Sequence, residues 1–363
     1  MLVTIMALVF GVPWAMIVWS PGWSAGASAA STVLTIIVAL ATPVLMFLGY
    51  GPRHRDWAGT AGSVLLGAAW VFFSWSVIGF VVRVALWSVA DLAEPVAVAI
   101  VVISVALLTY GFVAAMRVPR VVRHDVAIDG LHPDLDGLRI VAITDTHYGP
   151  INRTSWSNRV VDLVNSLEAD LVFHVGDLAD GSVEARDEQT RPLARVQAKL
   201  GRAYVTGNHE YFHEAQAWLD YMASIGWETL HNRHIVVRRG AGELVVAGID
   251  DATARGSGLP GNGANLQLAL DGASRSLPIV LLAHQPKQVA DAAAAGVSLQ
   301  VAGHTHGGQI WPFRYLVRLD QPAVAGLQWF GETQLYTSRG TGFWGPPFRI
   351  FAPSEVTVLT LRA

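Results

Sequence analysis

The chain contains no cysteine. Disulfides, thiolate metal sites and a cysteine nucleophile are therefore excluded, although the absence identifies no compartment by itself. Charge is scarce too, with 15% of the 363 residues charged against 52% hydrophobic and a mean hydropathy of +0.39. A formal net charge of −3 leaves no basic footprint, so nucleic acid is not expected as a partner. The sequence also has no internal repeat and no low-complexity tail. The shortage of charge is uneven. Met1 to about Met116 holds hardly any, whereas the balance after Arg117 is that of an ordinary globular enzyme.

Four apolar runs fill the charge-poor part: Met1 to Trp19, Ser31 to Tyr50, Ala61 to about Trp87, and Pro95 to Met116. Each is about twenty residues or longer, enough to cross a hydrocarbon core of ~30 Å. The first run lacks a basic leader and a clear cleavage site, so a removable signal peptide is the weaker reading. One such run could be a buried soluble helix, but four in succession predict a four-helix transmembrane region over residues 1–116. Trp14, Trp19, Trp23, Trp57 and Trp87 fall near the ends of the runs, as interfacial aromatics do. With four spans, Arg53, Arg55, Arg117, Arg120 and Arg123 share one side. The other side has only Arg83, beside Asp91 and Glu94. The positive-inside rule then predicts a multi-pass plasma or inner membrane protein with both termini and the C-terminal domain in the cytoplasm. Arg83 at mid-bilayer would cost on the order of 2.5–3.5 kcal/mol. It is expected near the end of a long tilted helix, with a lipid-headgroup contact as the alternative.

Residues 117–136 read as a juxtamembrane linker and 137–363 as a second domain. Leu138 to Thr144 and Leu171 to Val175 have the β-branched, apolar character of buried strands. Asn152 to Leu167 predicts a helix with Val160, Val161, Val164 and Leu167 on one face. Thr190 to Leu200 predicts a short surface helix, Ala203 to Thr206 a strand and Glu214 to Ile225 another helix. The segments 234–238 and 244–249 form a β-pair, and 278–283, 298–302, 334–339 and 355–361 are strands. A Gly- and Asn-rich loop covers 255–264.

Five polar motifs sit just after these strands: Asp-Thr-His at 145–147, Gly-Asp-Leu-Ala-Asp at 176–180, Gly-Asn-His-Glu at 207–210, His284, and Gly-His-Thr-His-Gly at 303–307. Strand carboxyl ends are where open α/β sheets place their sites. The set offers Asp145, Asp177, Asp180, Asn208 and the histidines 147, 209, 284, 304 and 306. Such nitrogen and oxygen donors suit Mn²⁺, Fe²⁺ or Zn²⁺. There are more ligands than one ion can use, which argues for two ions. A pair ~3.5–4 Å apart can bind the attacking and leaving oxygens of phosphoryl transfer, with Asp177 the natural bridge.

In this order the motifs resemble the calcineurin-like metallophosphoesterase superfamily over about Leu138 to Ala363. The Gly-His-Thr-His-Gly-Gly-Gln run ending at Gln309, with the later Ser338 to Gly342 stretch and Pro347, is similar to its membrane-attached bacterial phosphodiesterase-like branch. The resemblance implies a four-layer α/β/β/α sandwich behind the transmembrane region. It implies that Asp145, His147 and His306 hold one metal, that Asn208, His284 and His304 hold the other, and that Asp177 bridges. His209 would stabilise or protonate the leaving oxygen, with Asp180 orienting it. Glu210 stands where the family usually has Asp. The function expected is a membrane-anchored hydrolase of phosphodiester or diphosphate bonds. A lipid-linked or glycolipid substrate is favoured by tethering, while a soluble diester or cyclic nucleotide stays open. The alternative is a non-enzymatic membrane sensor or scaffold with a metal-binding domain. His174 reads as a core histidine, and His213, His231 and His234 as surface residues, though His213 and Tyr211 could touch a substrate. Asp250 and Asp251 read as turn residues. For Arg339, a substrate phosphate and an anchoring role are equally supported.

Overall fold

A computed structural model describes residues 2–51, 54–88, 91–259 and 261–363; Met1 and Arg53, invoked above, lie outside this set. The chain divides into two compact units. One is Met1–Met116 with Ile310–Pro312 and Gly345–Phe351, and the other is Arg117–Gln309, Phe313–Trp344 and Ala352–Ala363.

In the first unit the apolar runs form helices α1 (Leu2–Trp14), α2 (Ala25–Tyr50), α3 (Asp56–Ala85) and α4 (Ala93–Met116). The last three, of 26, 30 and 24 residues, are long and apolar enough to cross a membrane. The first stretch falls short of a full regular span. Pro13 lacks the N–H that an α-helix needs, and the chain continues past it as a π-helical turn, Ala15–Trp19. Small residues let the helices approach closely. A methyl group at Gly49 would collide with Gly59 Cα, and one at Gly79 would stand 2.8 Å from Ile100 Cδ1. Residues 310–312 and 345–351 fall within the expected second domain, 137–363. They instead pack with the helices: Ile310, Phe348 and Ile350 form a buried cluster with Val71, and Arg349 N–H donates to Gly111 O at 2.9 Å.

The second unit has strands β1 (Arg120–Ala127), β2 (Arg139–Ile143), β3 (Leu171–Val175), β4 (Gly201–Val205), β5 (Glu228–Thr229), β6 (Arg233–Arg239), β7 (Gly242–Gly248), β8 (Ile279–Leu282), β9 (Leu299–Ala302), β10 (Gly326–Phe330), β11 (Thr333–Thr337) and β12 (Glu355–Arg362). They form two six-stranded sheets, ordered β1-β12-β2-β3-β4-β5 and β10-β11-β9-β8-β7-β6. The inner faces meet in one core that includes Ile140, Phe173, Val205, Val246, Val280 and Val301. Helices α5 (Thr154–Ser166), α6 (Val183–Thr190), α7 (Asn208–Phe212) and α8 (Ala215–Ser224) follow strands of the first sheet, and α9 (Leu266–Ala269) and α10 (Val289–Ala294) belong with the second. Val160 and Val164 of α5 and Trp218 and Met222 of α8 seal the outer face of the first sheet. Ala269 and Ala292 do the same for the second. The expected four-layer α/β/β/α sandwich is therefore present, with the helices outside.

Two local expectations are corrected. The stretch 117–136 is not a free linker. Strand β1 pairs in parallel with β12 along its whole length, Arg120 opposite Glu355 through Ala127 opposite Arg362, and Val126 joins the core. The predicted Thr190–Leu200 helix is displaced. Ser182 accepts from Ala185 N–H and starts α6, which ends at Thr190, and Pro192 confines Arg191–Arg195 to a 3₁₀ turn.

Candidate metal centre

Parallel pairing of β2, β3 and β4 in one sheet and of β7, β8 and β9 in the other brings their carboxyl ends together. The chain must then reverse abruptly, and the reversal falls on the motif residues themselves. Asp145, His147, Asp177, His304 and His306 all have positive φ, between 42° and 69°. A side chain in this left-handed region costs on the order of 1–2 kcal/mol, and such strain gathers at functional sites. The neighbouring glycines make the crowding possible. A Cβ at Gly176 would strike the His284 ring, and one at Gly303 would strike the Asp145 carboxylate.

The donor atoms fall into three groups; His147, Asp180 and His209 make one, and the other two share Asp177. Of the two that share it, Asp145, His147, Asp177 and His306 form the first and Asp177, His284 and His304 the second, with the atoms of each group within 4.8 Å of one another. Asp177 Oδ2 is 3.4 Å from His147 Nε2 and 3.2 Å from His284 Nε2. Asn208 closes the second group, its Oδ1 2.9 Å from His304 Nδ1. Every predicted site residue is thus at the cluster, and His284 and Asp145 are wholly buried.

The second nitrogen of each ring sets its tautomer. His284 Nδ1–H donates to Val175 O at 2.8 Å, so Nε2 is the nitrogen turned toward Asp177, whose carboxylate favours a proton or a cation there. His147 Nδ1–H donates to Asp180 Oδ1 at 3.0 Å, so its Nε2 lone pair faces His306 Nε2 at 3.1 Å. Crowded lone pairs and carboxylate oxygens repel unless a cation lies among them. Asp145 Oδ2 and His284 Nε2 are buried without a well-aligned hydrogen-bond partner. Buried polar atoms are seldom left so. On this chemistry the residues fit a bound divalent ion in each of the two groups that share Asp177.

Asp180 does more than sequence reading assigned to it. The same Oδ1 accepts from His147 Nδ1 and, at 2.6 Å, from His209 Nδ1. Burial works against ionising it, but His147 and then His209 outweigh that and hold its carboxyl far below the ordinary range. Burial likewise opposes charge on His209, but Asp177 and Asp180 lift it to about 9 in the metal-free chain. Phe212, three residues on along α7, meets the His209 ring edge-on at 5.2 Å, and Trp344 does so at 6.0 Å. Both are exposed, at 62% and 45%, and they rim the histidine. Gln309 fixes Trp344, donating to its carbonyl at 2.7 Å and accepting from its N–H at 2.9 Å.

Two buried residues hold the loops. Glu210 accepts from the N–H groups of Gly207, Asp177 and Leu178 at 2.6, 3.1 and 2.8 Å, tying the Asp177 turn to the Asn208 turn. Burial and then Asp177 push its carboxyl up to about 8, against those N–H donors. Arg153 was missed in the sequence. Its Nη2 donates to His147 O at 2.6 Å, and its guanidinium lies between Trp156 and Phe343, 4.5 and 4.3 Å from the ring centroids. An arginine eight residues after a motif Asp carries no signal of that role.

The remaining polar residues resolve as follows. His174 is a core residue whose Nε2 pairs with Thr146 Oγ1 at 3.0 Å, and burial pushes its pKa down to about 3. Tyr211 hydroxyl accepts from Thr206 Oγ1 at 3.2 Å. Asp250 and Asp251 are not plain turn residues, being buried at the end of β7. Asp250 gathers His231, Asn232 and Gly263 N–H, while Asp251 combines the expected turn role, Oδ1 accepting from Thr253 N–H and hydroxyl at 2.7 Å, with bonds at 2.9 Å from the Gln285 amide, next to His284. His231 and His234 are half-buried and bonded, the latter to Ala269 O at 2.8 Å. Arg339 binds Glu355 at 2.8 Å, so of its two expected roles the anchoring one is found.

The calcineurin-like phosphoesterase family profile matches residues 138–308. A transmembrane protein with metallophosphoesterase domain from Danio rerio is 38% identical over 268 residues, covering 72% of this chain and 61% of that protein. An uncharacterized metallophosphoesterase from Helicobacter pylori is 35% identical over 261 residues, covering 70% and 68%. Among solved structures, a 5'-nucleotidase precursor from Thermus thermophilus aligns with a TM-score of 0.40 at 17% identity, over 61% of this chain and 54% of its own. The chain spans about three fifths of the Danio rerio relative. It belongs to the calcineurin-like metallophosphoesterases.

Proposed function

We propose that the protein is a membrane-anchored, metal-dependent phosphoester hydrolase. The observation that carries this is the shared carboxylate: one oxygen of Asp177 lies between two donor groups that contain orphaned buried atoms. Asp145, His147, His306 and Asp177 would hold one ion, and Asp177, Asn208, His284 and His304 the other. When bound, such a pair polarises a phosphoryl oxygen and makes a water acidic enough to attack at neutral pH. The chain's own residues do the rest. Asp180 keeps the His209 proton on Nδ1, so Nε2 is the atom that can meet the leaving oxygen and deliver a proton to it. Phe212 and Trp344 give that leaving group apolar walls. Glu210 and Arg153 keep the ligand loops from relaxing out of their strained turns.

Helices α2 to α4 hold the protein in the bilayer, as a multi-pass plasma or inner membrane protein. Tethering favours a diester or diphosphate on a lipid or glycolipid. Arg55, Arg117, Arg120 and Arg123 support a cytoplasmic catalytic unit by the positive-inside rule; a reporter fused after Ala363 and active only outside would reverse that assignment.

The deciding experiment strips the purified protein of metal in detergent and restores Mn²⁺ while following an aryl phosphodiester, its monoester and lipid vesicles. Metal-dependent turnover is expected, abolished in Asp177→Asn and strongly reduced in His209→Ala. Metal binding with no turnover of any of the three would replace the hydrolase by a metal-binding sensor or scaffold.

A further inference from the structure

Arg83 lies in the last turn of α3, where the helix's negative end welcomes a cation. Its surroundings go beyond that. A cavity of about 570 Å³ opens where α3 finishes and α4 begins, and Trp19, Ser20, Phe80, Arg83, Trp87 and Asp91 line it. Arg83 Nη1 donates to Ser20 Oγ at 2.7 Å. Asp91 uses Oδ1 to accept from Ala93 N–H at 3.0 Å, starting α4. Among the described residues no ion pair joins Arg83 to Asp91, although both face the one cavity. Trp19 is braced by Trp14, their rings stacked at 6.4 Å, and Trp19 and Trp87 are both exposed, as side chains at a membrane interface are.

A cation and an anion that share a cavity without pairing are complementary to a ligand carrying both signs. We propose that this cavity binds the headgroup of a zwitterionic phospholipid with a primary ammonium, of the phosphatidylethanolamine type. The guanidinium fork, held in place by Ser20, whose own proton goes to Met16 O, takes the phosphate. The Asp91 carboxylate takes the ammonium, with the Trp87 face beside it. The tryptophans and Phe80 cover the glycerol end. The assignment is independent of the hydrolase reading, since no residue of the metal centre takes part.

The test uses the full chain in nanodiscs of phosphatidylethanolamine and phosphatidylglycerol, released into mild detergent for native mass spectrometry. The wild type should retain one phosphatidylethanolamine, about tenfold preferred over phosphatidylglycerol. Arg83→Gln should lower that retention tenfold or more. Asp91→Asn keeps the phosphate partner and the helix cap but loses the ammonium partner, so the preference should invert toward phosphatidylglycerol. A change of preference separates loss of the site from loss of the fold. Retention unchanged in Arg83→Gln, or preference unchanged in Asp91→Asn, would overturn the assignment. Displacement of the lipid by inorganic phosphate alone would overturn it too, in favour of a simple anion site.

Discussion

In the helical unit, Thr42 and Ser74 return their hydroxyl protons to the carbonyl four residues back, at 2.8 Å each. In the α/β unit, Asp145 accepts from His304 N–H, 159 positions away, and its other oxygen is left without a partner. The first arrangement satisfies these hydroxyls within their own helices, although the Ser76 and Ser104 hydroxyls are buried without a partner. The second gathers polar groups from distant strand ends and leaves them unsatisfied toward a common point. Such a cluster is costly unless something else completes it. Among the described residues the difference lies in the groups themselves: carboxylate and imidazole atoms converge in the α/β unit, whereas the unpartnered side-chain atoms of the helices are serine hydroxyls.

The sharpest way to break the contrast is Asp177→Asn. If the orphaned atoms exist for a shared pair of ions, removing the shared charge should empty both groups, whereas His306→Ala should weaken one. Elemental analysis should show loss of both ions, and turnover should fall by at least ~10³-fold, given several kcal/mol of charge stabilisation from metal. Next in size is His209→Ala, with a loss of about 10²–10⁴ in turnover and normal metal content. Loss of metal in that variant would make the histidine a ligand. Smaller still is Glu210→Gln, which keeps shape but points an amide at backbone donors. Metal affinity should drop about 10–100-fold, with turnover recovered at saturating metal.

The site was legible because its motifs occupy strand ends in a fixed order, and each of Asp145, His147, Asp177, Asn208, His284, His304 and His306 lies at the cluster. What stayed hidden depends on tertiary placement. Strand β1 reads as an arginine-flanked connector because an edge strand with one exposed face has little apolar signal. Ile310 and Phe348 read as ordinary domain residues, since nothing local reveals that helices pack on them. Asp251 does bond within its turn, to Thr253, but the links of Asp250 to His231 and of Asp251 to Gln285 join residues too far apart in sequence to be read.

The helical unit offers the complementary test. Gly79→Val places branched carbons against Ile100 and Val96, and overpacking of this kind costs about 1–3 kcal/mol. Thermal stability in detergent should fall while turnover per folded molecule is kept, because no donor atom is in these helices. A variant that keeps its stability but loses activity would show that the anchor takes part in the chemistry.

The smallest effect concerns a polar link outside the metal centre. His231 Nδ1 lies 2.6 Å from Asp250 Oδ1, and this hydrogen bond raises the histidine above its ordinary value despite partial burial. A raised pKa means the folded protein holds the proton more tightly than the unfolded chain. The stabilisation is therefore complete below about pH 6.5 and is lost as pH climbs through the raised value. His231 is about one-third exposed, so solvent screening limits the effect to less than ~1 kcal/mol. The stability difference between wild type and His231→Gln, measured with metal bound, should shrink from pH 6 to pH 9. A difference that is constant across that range would assign the link to packing and not to charge.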